Sequence, residues 1–222
     1  MSIDSQALAA TSQASRGMST VYEAVAEALL NIPSSTVIAD LDRIASAMGD
    51  DRFASVEASP DLEQRFYNRF FVSSSAYYIA WSESSVWNSG VVEGHIEYAS
   101  PVPSRKAHAI ACYEKAGFDY HKLTGYEIAV STLSPDAFAS ELAFMSYLHD
   151  GAARAAEAGD SSSAQANLHL AKQFLEQHIS HWASRLAEMA AVAGDDFYSR
   201  IAAFAAEVVA LDLQQLKEVE AR

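Results

Sequence analysis

Apolar side chains recur along most of this chain at the three- and four-residue spacing that is typical of amphipathic helices. In the clearest segment, the residues that share one face at about 100° per residue are Phe138, Leu142, Met145 and His149. Ahead of them, Ser134 can cap free backbone N–H groups, Pro135 suits a first helical position and Asp136 favours the positive helix end. We therefore predict a helix over residues 134–149.

The same signals predict helices along most of the chain. The first helix ends near Pro33, and another starts at Ser59-Pro60. Four more are predicted over 35–48, 104–116, 162–192 and 196–219. Ser104 is the expected cap of the helix over 104–116, and Gly117 its end. The 222 residues include only 9 Gly and 5 Pro, which favours helices over a sandwich or barrel. The expected fold class is all-α, a globular bundle of about eight to ten helices.

The expected domain organisation is one all-α domain over 18–222, preceded by a tail. Residues 1–17 are rich in Ser, Ala and Gln, and we predict that they form a mobile tail. The β-branched connector over 118–133 allows an N-terminal lobe, 18–133, and a C-terminal lobe, 134–222, that meet near residue 130. It would also permit a domain-swapped homodimer, so monomer and dimer both remain open.

Residues 72–104 lack helical periodicity and contain Ser runs and Gly or Pro breaks. We predict a long irregular loop with at most short helices there, and loops of this kind tend to be functional. Four aromatic residues lie in it where no amphipathic period requires them: Tyr77, Tyr78, Trp81 and Trp87. Rigid aromatic side chains with a polar group suit a peptide groove, and they suit equally well a plug at the end of the bundle.

Glu141 projects into the apolar face of the helix predicted over 134–149. A buried carboxylate needs a partner or a proton, so we expect a core His, Arg or Tyr beside it. His178 and Trp182 lie four residues apart at the edge of the apolar stripe in 162–192, and Glu141 is a candidate partner of His178. We assign structural roles behind any functional site to Glu141, Met145, His178 and Trp182.

Charge and composition exclude several classes of protein. A net charge of −14 argues against nucleic-acid binding, which needs a basic surface, and favours basic partners. No segment approaches the roughly 18 apolar residues of a membrane span, and residues 1–17 lack the features of a signal peptide. The single cysteine, Cys112, cannot form an internal disulfide and fits a reducing compartment. We expect a cytoplasmic protein.

Catalytic and metal-binding signatures are missing from the sequence. It contains no Gly-x-Ser-x-Gly, Walker-type or Gly-x-Gly-x-x-Gly motif. His169, His178 and His181 share a predicted helix, but the Glu-x-x-His pairs of bundle metal sites do not occur. Cys112 lies on an alanine-rich face and is expected to pack as a small apolar residue. We therefore predict no enzymatic activity, no metal and no cofactor.

Six short segments, taken in order, form the most specific signal in the chain. They are 66–72 (Phe-Tyr-Asn-Arg-Phe-Phe-Val), 84–87 (Ser-Ser-Val-Trp), 113–118 (Tyr-Glu-Lys-Ala-Gly-Phe), 135–145 (Pro-Asp-Ala through Phe-Met), 174–182 (Phe-Leu-Glu-Gln-His-Ile-Ser-His-Trp) and 197–198 (Phe-Tyr). The series resembles the TorD/DmsD/NarJ-like family of molybdoenzyme assembly chaperones. In two places the chain departs from the family: Ala137 replaces a His after Pro-Asp, and a Pro-Pro-Trp/Tyr run is absent before Ser84.

The resemblance implies a TorD-like all-α chaperone with a redox enzyme as its client. Such a protein binds the twin-arginine signal peptide and the apo form of a molybdopterin oxidoreductase catalytic subunit in the cytoplasm, until the cofactor of that subunit is inserted. Asp136 matches the acid of the family's peptide site. The residues expected to bind the peptide are Tyr78, Trp81, Ser85, Trp87, Pro135, Asp136, Ala137 and Phe138.

Two other classes of function are compatible with the sequence. The first is a helical protein that binds a nucleotide or pterin in the aromatic loop without catalysis. The second is a structural or regulatory helical protein in which these aromatics only fill the core. We favour the chaperone because acidic charge suits a basic leader and an aromatic loop suits its apolar stretch.

Overall fold

The computed structural model describes the backbone of residues 3–220 and the side chains of residues 6–219. Its α-helices, in chain order, are α1 (Ile3–Leu30), α2 (Ser35–Ala47), α3 (Pro60–Phe70), α4 (Glu83–Val86), α5 (Pro103–Ala116), α6 (Glu127–Ser131), α7 (Phe138–Glu157), α8 (Ser161–Gln177), α9 (Ala183–Ala193) and α10 (Phe197–Glu220). Short 3-10 helices lie at Tyr120–Lys122 and Ile179–His181. This architecture confirms the all-α prediction.

Helix α7 occupies the centre of the molecule, with α1 packed along one side and α8 along another. Its residues Phe138, Leu142, Met145 and Leu148 are fully buried, so the face predicted from their spacing is confirmed. Helices α9 and α10 pack on each other, and α10 also contacts α8. Buried residues from both predicted lobes belong to one hydrophobic core. The division at residue 130 remains a prediction.

The predicted tail over residues 1–17 is corrected by α1, which is helical from Ile3. Alanine-rich sequence has high helix propensity, and contact with α7 stabilises it. Arg16 bonds to Asp150 at 2.6 Å and to Glu157 at 2.8 Å, both on α7. Met1 and Ser2, like Ala221 and Arg222 at the other end, lie outside the described residues.

A small β-hairpin interrupts the segment in which only short helices were expected. Strand β1 (Gly90–Val92) pairs antiparallel with β2 (His95–Glu97), and Val91 lies opposite Ile96. The two turn residues, Glu93 and Gly94, have φ angles of 50° and 80°. Positive φ at both positions is the geometry of a two-residue hairpin turn that matches the twist of the strands. Strands of three residues are too short to be recognised from an alternation of apolar and polar side chains.

Helix boundaries depart from prediction where a residue takes a role in tertiary structure. Helix α7 starts at Phe138 rather than Ser134, with Ala137 as its cap, because the preceding residues form a turn against α4. The single helix predicted over 162–192 is divided into α8 and α9 at His178, whose φ and ψ of −128° and −95° are not helical. Val102, not Ser104, caps α5, whereas the left-handed Gly117 ends it as predicted.

Among the described residues, no helix is long and apolar enough to cross a membrane.

Arg69, at the end of α3, is fully buried and ties four parts of the fold together. Its guanidinium donates to the Asp196 carboxylate at 3.0 Å before α10. It also donates to the carbonyl of Tyr77 at 3.2 Å, and to those of Ala190 and Gly194 at 3.1 Å and 2.5 Å at the end of α9. A buried charge is tolerated when it is paired and hydrogen-bonded, and here four hydrogen bonds and one carboxylate compensate the guanidinium.

We expect Arg69→Met to lower the free energy of unfolding by about 3–5 kcal/mol, because the Asp196 carboxylate loses its nearer cation and three carbonyl groups lose a donor. Arg43→Met is the matched control, since the Arg43 side chain is 67% exposed and its loss should cost no more than about 0.5 kcal/mol. Urea unfolding followed by circular dichroism measures both variants. Equal midpoints for the two variants would contradict the structural role of Arg69.

Candidate functional site

An apolar groove lies between the start of α7, the loop before α4 and the end of α1. Its volume is about 290 Å³. The residues that line it are Leu29, Leu30, Phe70, Phe71, Tyr78, Ala80, Trp81, Ser82, Ser85, Ala129, Thr132, Leu133, Ser134, Ala137, Phe138 and Ala139. None of these lining residues carries a charge, and the polar groups among them are hydroxyl groups and the Trp81 indole.

Two walls of the groove are joined by backbone hydrogen bonds. The Phe138 N–H donates to the Trp81 carbonyl at 2.9 Å, and Ser82 forms a β-bridge with Ala137. The Trp81 ring packs on Phe70 with centroids 5.0 Å apart, and the residue is only 8% exposed. No described residue accepts a hydrogen bond from the buried Trp81 Nε1. The groove is therefore lined by one rigid indole, whose Nε1–H is buried.

The structure brings five of the eight predicted peptide-binding residues into this groove: Tyr78, Trp81, Ser85, Ala137 and Phe138. Trp87 is not among them. Its ring lies under the Arg105 guanidinium at 3.9 Å and beside His181, with ring centroids 5.2 Å apart. Trp81 and Trp87 are therefore in different environments, although they are six residues apart in the same loop.

Pro135 and Asp136 are buried behind the groove rather than exposed in it. Asp136 is fully buried, and its carboxylate accepts hydrogen bonds from the Ser84 N–H at 3.0 Å and from the Ser134 hydroxyl. Its carbonyl accepts from the Glu83 N–H at 2.8 Å. Ser82 makes no side-chain cap for α4, so Asp136 supplies that cap from another part of the chain. An incoming guanidinium cannot reach it in this conformation.

A buried polar cluster, which we call the Glu83 cluster, lies at the first turn of α4. Arg105 on α5 donates to Glu83 Oε1 at 2.8 Å, and His178 Nδ1 lies 2.8 Å from Glu83 Oε2. The second imidazole nitrogen, Nε2 of His178, lies 2.7 Å from His108 Nδ1. Arg105 also donates to the Gln177 carbonyl at the end of α8. These contacts explain why the helix breaks at His178.

The partner of His178 is therefore Glu83, not Glu141. Glu141 accepts a hydrogen bond from Trp182 Nε1 at 3.1 Å, and its other oxygen is buried without a hydrogen-bond partner among the described residues. Burial, followed by the nearby Glu83 charge, raises the pKa of Glu141 well above its ordinary value of 4.5. Glu141 is buried with an internal partner as predicted, but the expected His, Arg or Tyr is wrong, since the partner is the Trp182 indole.

The raised pKa gives Glu141 a defined effect on stability. The stability that protonated Glu141 contributes is fully present below about pH 4.5, the ordinary pKa of a glutamate. It is lost as pH rises through the raised pKa of the folded state. Glu141→Gln keeps an acceptor for Trp182 without the titration, so we expect a stability at pH 7 equal to or above that of the parent. Glu141→Ala, which leaves the indole N–H unpaired, should cost at least about 1–3 kcal/mol.

Chemical unfolding between pH 4.5 and pH 8 measures this difference. The Gln variant should lose less stability over the interval than the parent chain. A parallel decline in both proteins would show that Glu141 is not the titrating group.

A second cavity, of about 450 Å³, adjoins the apolar groove at Leu30, which lines both. We call it the acidic cavity because Glu23, Glu27 and Asp150 line it. Its two cations are already engaged: Arg16 with Asp150 at 2.6 Å, and Lys122 with Asp119 at 3.6 Å.

The acidic cavity holds unneutralised negative charge. Glu23 and Glu27 are exposed one turn apart on α1, and neither forms an ion pair with a described residue. Partial burial, then the charges of Glu23 and Asp40, raises the pKa of Glu27. A cation bound between Glu23 and Glu27 would relieve this repulsion.

Several residues of the site were missed by sequence reasoning. Glu83, Arg105 and His108 come from two segments, and no short motif contains them. Glu23 and Glu27 were overlooked because exposed acids on a helix are common, although their i, i+4 spacing places like charges side by side. The position of Glu83 directly after the uncharged stretch over 70–82 was the one available signal.

Comparison with known protein families gives a match over most of the chain. The family model described as the nitrate reductase delta subunit matches residues 39–188, more than half of the chain. The matched region includes the loop before α4, the start of α7 and His178. No curated protein and no solved structure matches significantly.

Proposed function

This chain belongs to the nitrate reductase delta subunit family, a family of molybdoenzyme assembly chaperones, and we propose that it binds the twin-arginine signal peptide and the apo form of a molybdopterin oxidoreductase catalytic subunit in the cytoplasm. In this proposal the protein holds its client until the molybdenum cofactor is inserted and catalyses no reaction. The family consists of maturation factors, which supports a non-enzymatic role.

The observation that carries the proposal is the apolar groove. A leader peptide has an uncharged, apolar central stretch, and the groove is lined by aromatic and aliphatic side chains with no charge. The Trp81 ring packs on Phe70 and forms a rigid apolar wall, against which the apolar stretch of a leader can pack. Tyr78 and Ser85 add hydroxyl groups at the walls. Buried aromatic anchors of this kind typically dominate peptide binding.

The paired arginines of the leader would lie at the acidic cavity. Its shared border at Leu30 lets one extended peptide occupy both cavities. Glu23 and Glu27 are exposed and have no cationic partner among the described residues, and a guanidinium is the natural counter-ion for such a pair. This assignment replaces Asp136, which is buried and already bonded.

The groove does not favour the alternative of a nucleotide-binding protein. Phosphate binding uses cationic side chains or glycine-rich backbone, and the lining of the groove offers neither. Binding of a pterin would also require several directed polar contacts, whereas the groove is mostly apolar.

The direct test uses synthetic twin-arginine leaders from the molybdopterin oxidoreductases of the same organism, each beside a Lys-Lys version. Calorimetry should detect binding of at least one leader, weakened in its Lys-Lys version, because guanidinium forms bidentate pairs that ammonium cannot form. A leader-free client domain tests recognition of the apo enzyme separately. Absence of binding to every leader would contradict the peptide-binding proposal.

A substitution that fills the groove should block the apolar part of this interaction. Ala137→Phe adds bulk at the mouth of the groove without removing a core contact, and Ala137 has an extended backbone that accepts any side chain. We expect leader affinity to fall at least about tenfold, which corresponds to loss of one anchor contact. Ala107→Phe, at an exposed position of α5, is the control and should bind normally. Unchanged binding by the Ala137 variant would place the peptide elsewhere.

Removal of the negative charges of Glu23 and Glu27 should weaken the electrostatic part of leader binding. For Glu23→Gln/Glu27→Gln we expect affinity at low salt to fall roughly two- to thirtyfold, since exposed ion pairs contribute about 0.2–1 kcal/mol each. The dependence on ionic strength should become shallower in the same variant. Glu114→Gln/Glu188→Gln removes equal charge from exposed positions outside both cavities and controls for the net charge. Equal effects of the two double variants would show that the net negative charge of the protein, and not the acidic cavity, contributes to leader binding.

A further inference from the structure

Three metal-ligating side chains meet on the surface between α5 and the α8–α9 junction. They are His108 and Cys112, which lie one turn apart on α5, and His178. Their ligand atoms all lie within 4.8 Å of one another. His108 is exposed and Cys112 is half-buried, so the group is open to solvent on one side. No metal was expected from the sequence, because His108 and Cys112 lie on a different predicted helix from His169, His178 and His181.

The orientation of His178 is fixed by a carboxylate. Glu83 Oε2 lies 2.8 Å from His178 Nδ1, so Nδ1–H donates to it and Nε2 presents its lone pair toward His108. A carboxylate that holds the far nitrogen of an imidazole is the usual outer-shell support of a metal-bound histidine, because it sets the tautomer and raises the basicity of the ligand. Arg105 donates to the same carboxylate and keeps it in place.

The distances suit a small tetrahedral ion. Zn–N bonds of about 2.0–2.1 Å and a Zn–S bond of about 2.3 Å separate the ligand atoms of a tetrahedral site by roughly 3.3–3.8 Å. The His108 Nδ1 to His178 Nε2 distance is 2.7 Å, and no pair in the group exceeds 4.8 Å. Small rotations of the exposed His108 and the half-buried Cys112 therefore bring all three atoms to bonding distance.

We propose that His108, Cys112 and His178 bind one Zn²⁺ ion per chain, with the fourth position open to water. Two imidazoles and a thiolate are the donor set that borderline-soft divalent cations prefer. On binding, the Cys112 thiol releases one proton to solvent, and the His108 proton shifts from Nδ1 to the exposed Nε2. The site lies outside the apolar groove and does not depend on the chaperone proposal.

A second group of potential ligands is a weaker candidate. The relevant oxygen and nitrogen atoms of Glu83, Glu141 and His178 also lie within 4.8 Å of one another. All three residues are fully buried, and the Arg105 guanidinium already neutralises Glu83. A cation there would face that guanidinium and would have no path from solvent.

The test uses tag-free, metal-free protein titrated with Co²⁺, followed by displacement with Zn²⁺ against a chromogenic chelator. We expect one Co²⁺ per chain, with a thiolate-to-cobalt charge-transfer band, and complete displacement by Zn²⁺. Cys112→Ser should remove the band, and His108→Ala should weaken Zn²⁺ binding at least tenfold. His95→Ala, in the exposed hairpin, should behave as the parent chain.

Both site variants change residues that are not part of the core, and circular dichroism confirms that they are folded before titration. The proposal holds only if both lose metal affinity while the His95 variant retains it. Failure of the parent chain to bind one equivalent would overturn it. The proposal would also be overturned if either site variant retained its metal affinity, or if the His95 variant lost as much affinity as the site variants.

Discussion

The fold of the site depends on one buried carboxylate, that of Glu83. It lies at the first turn of α4, where Arg105 on α5 and His178 at the end of α8 both bond to it. Three elements that are distant in sequence are thereby held at one point. Its negative charge also helps to keep Glu141 on α7 neutral, because two carboxylates in one apolar environment cannot both ionise at low cost. The removal of Glu83 would leave the partly exposed Arg105 guanidinium without its carboxylate and the buried His178 imidazole without its support.

Much of the helical architecture follows from sequence periodicity, and the exceptions have physical causes. The residues Phe138, Leu142 and Met145 are buried as their spacing predicts, since helical geometry alone determines that face. The start of α7 was misplaced because Ser134, Pro135 and Asp136 have the chemistry of a helix cap. In the structure Asp136 caps α4 instead, and local sequence cannot reveal which of two helix ends a carboxylate serves.

The candidate site could be predicted from the sequence less completely than the helices. Tyr78, Trp81 and Phe138 line one groove, but they were grouped by resemblance to a family rather than by the spacing of the residues, and their role in peptide binding stays a prediction. Trp87 lies in a different environment beside Arg105, although it is also a tryptophan of the same predicted loop as Trp81. Contacts between segments about a hundred residues apart, such as His178 with Glu83, have no signature in a single sequence.

The cap that Asp136 provides has a consequence for the order in which the molecule forms. Helix α4 has four residues and no side-chain cap of its own, and so short a helix has no independent stability. The carboxylate that accepts from the Ser84 N–H belongs to Asp136, 52 positions further along the chain. During synthesis, the wall of the groove that contains Ser82 and Ser85 therefore cannot assemble until the start of α7 has left the ribosome. A nascent fragment that ends before residue 136 lacks both the cap of α4 and the α7 side of the groove, so the groove forms late in synthesis.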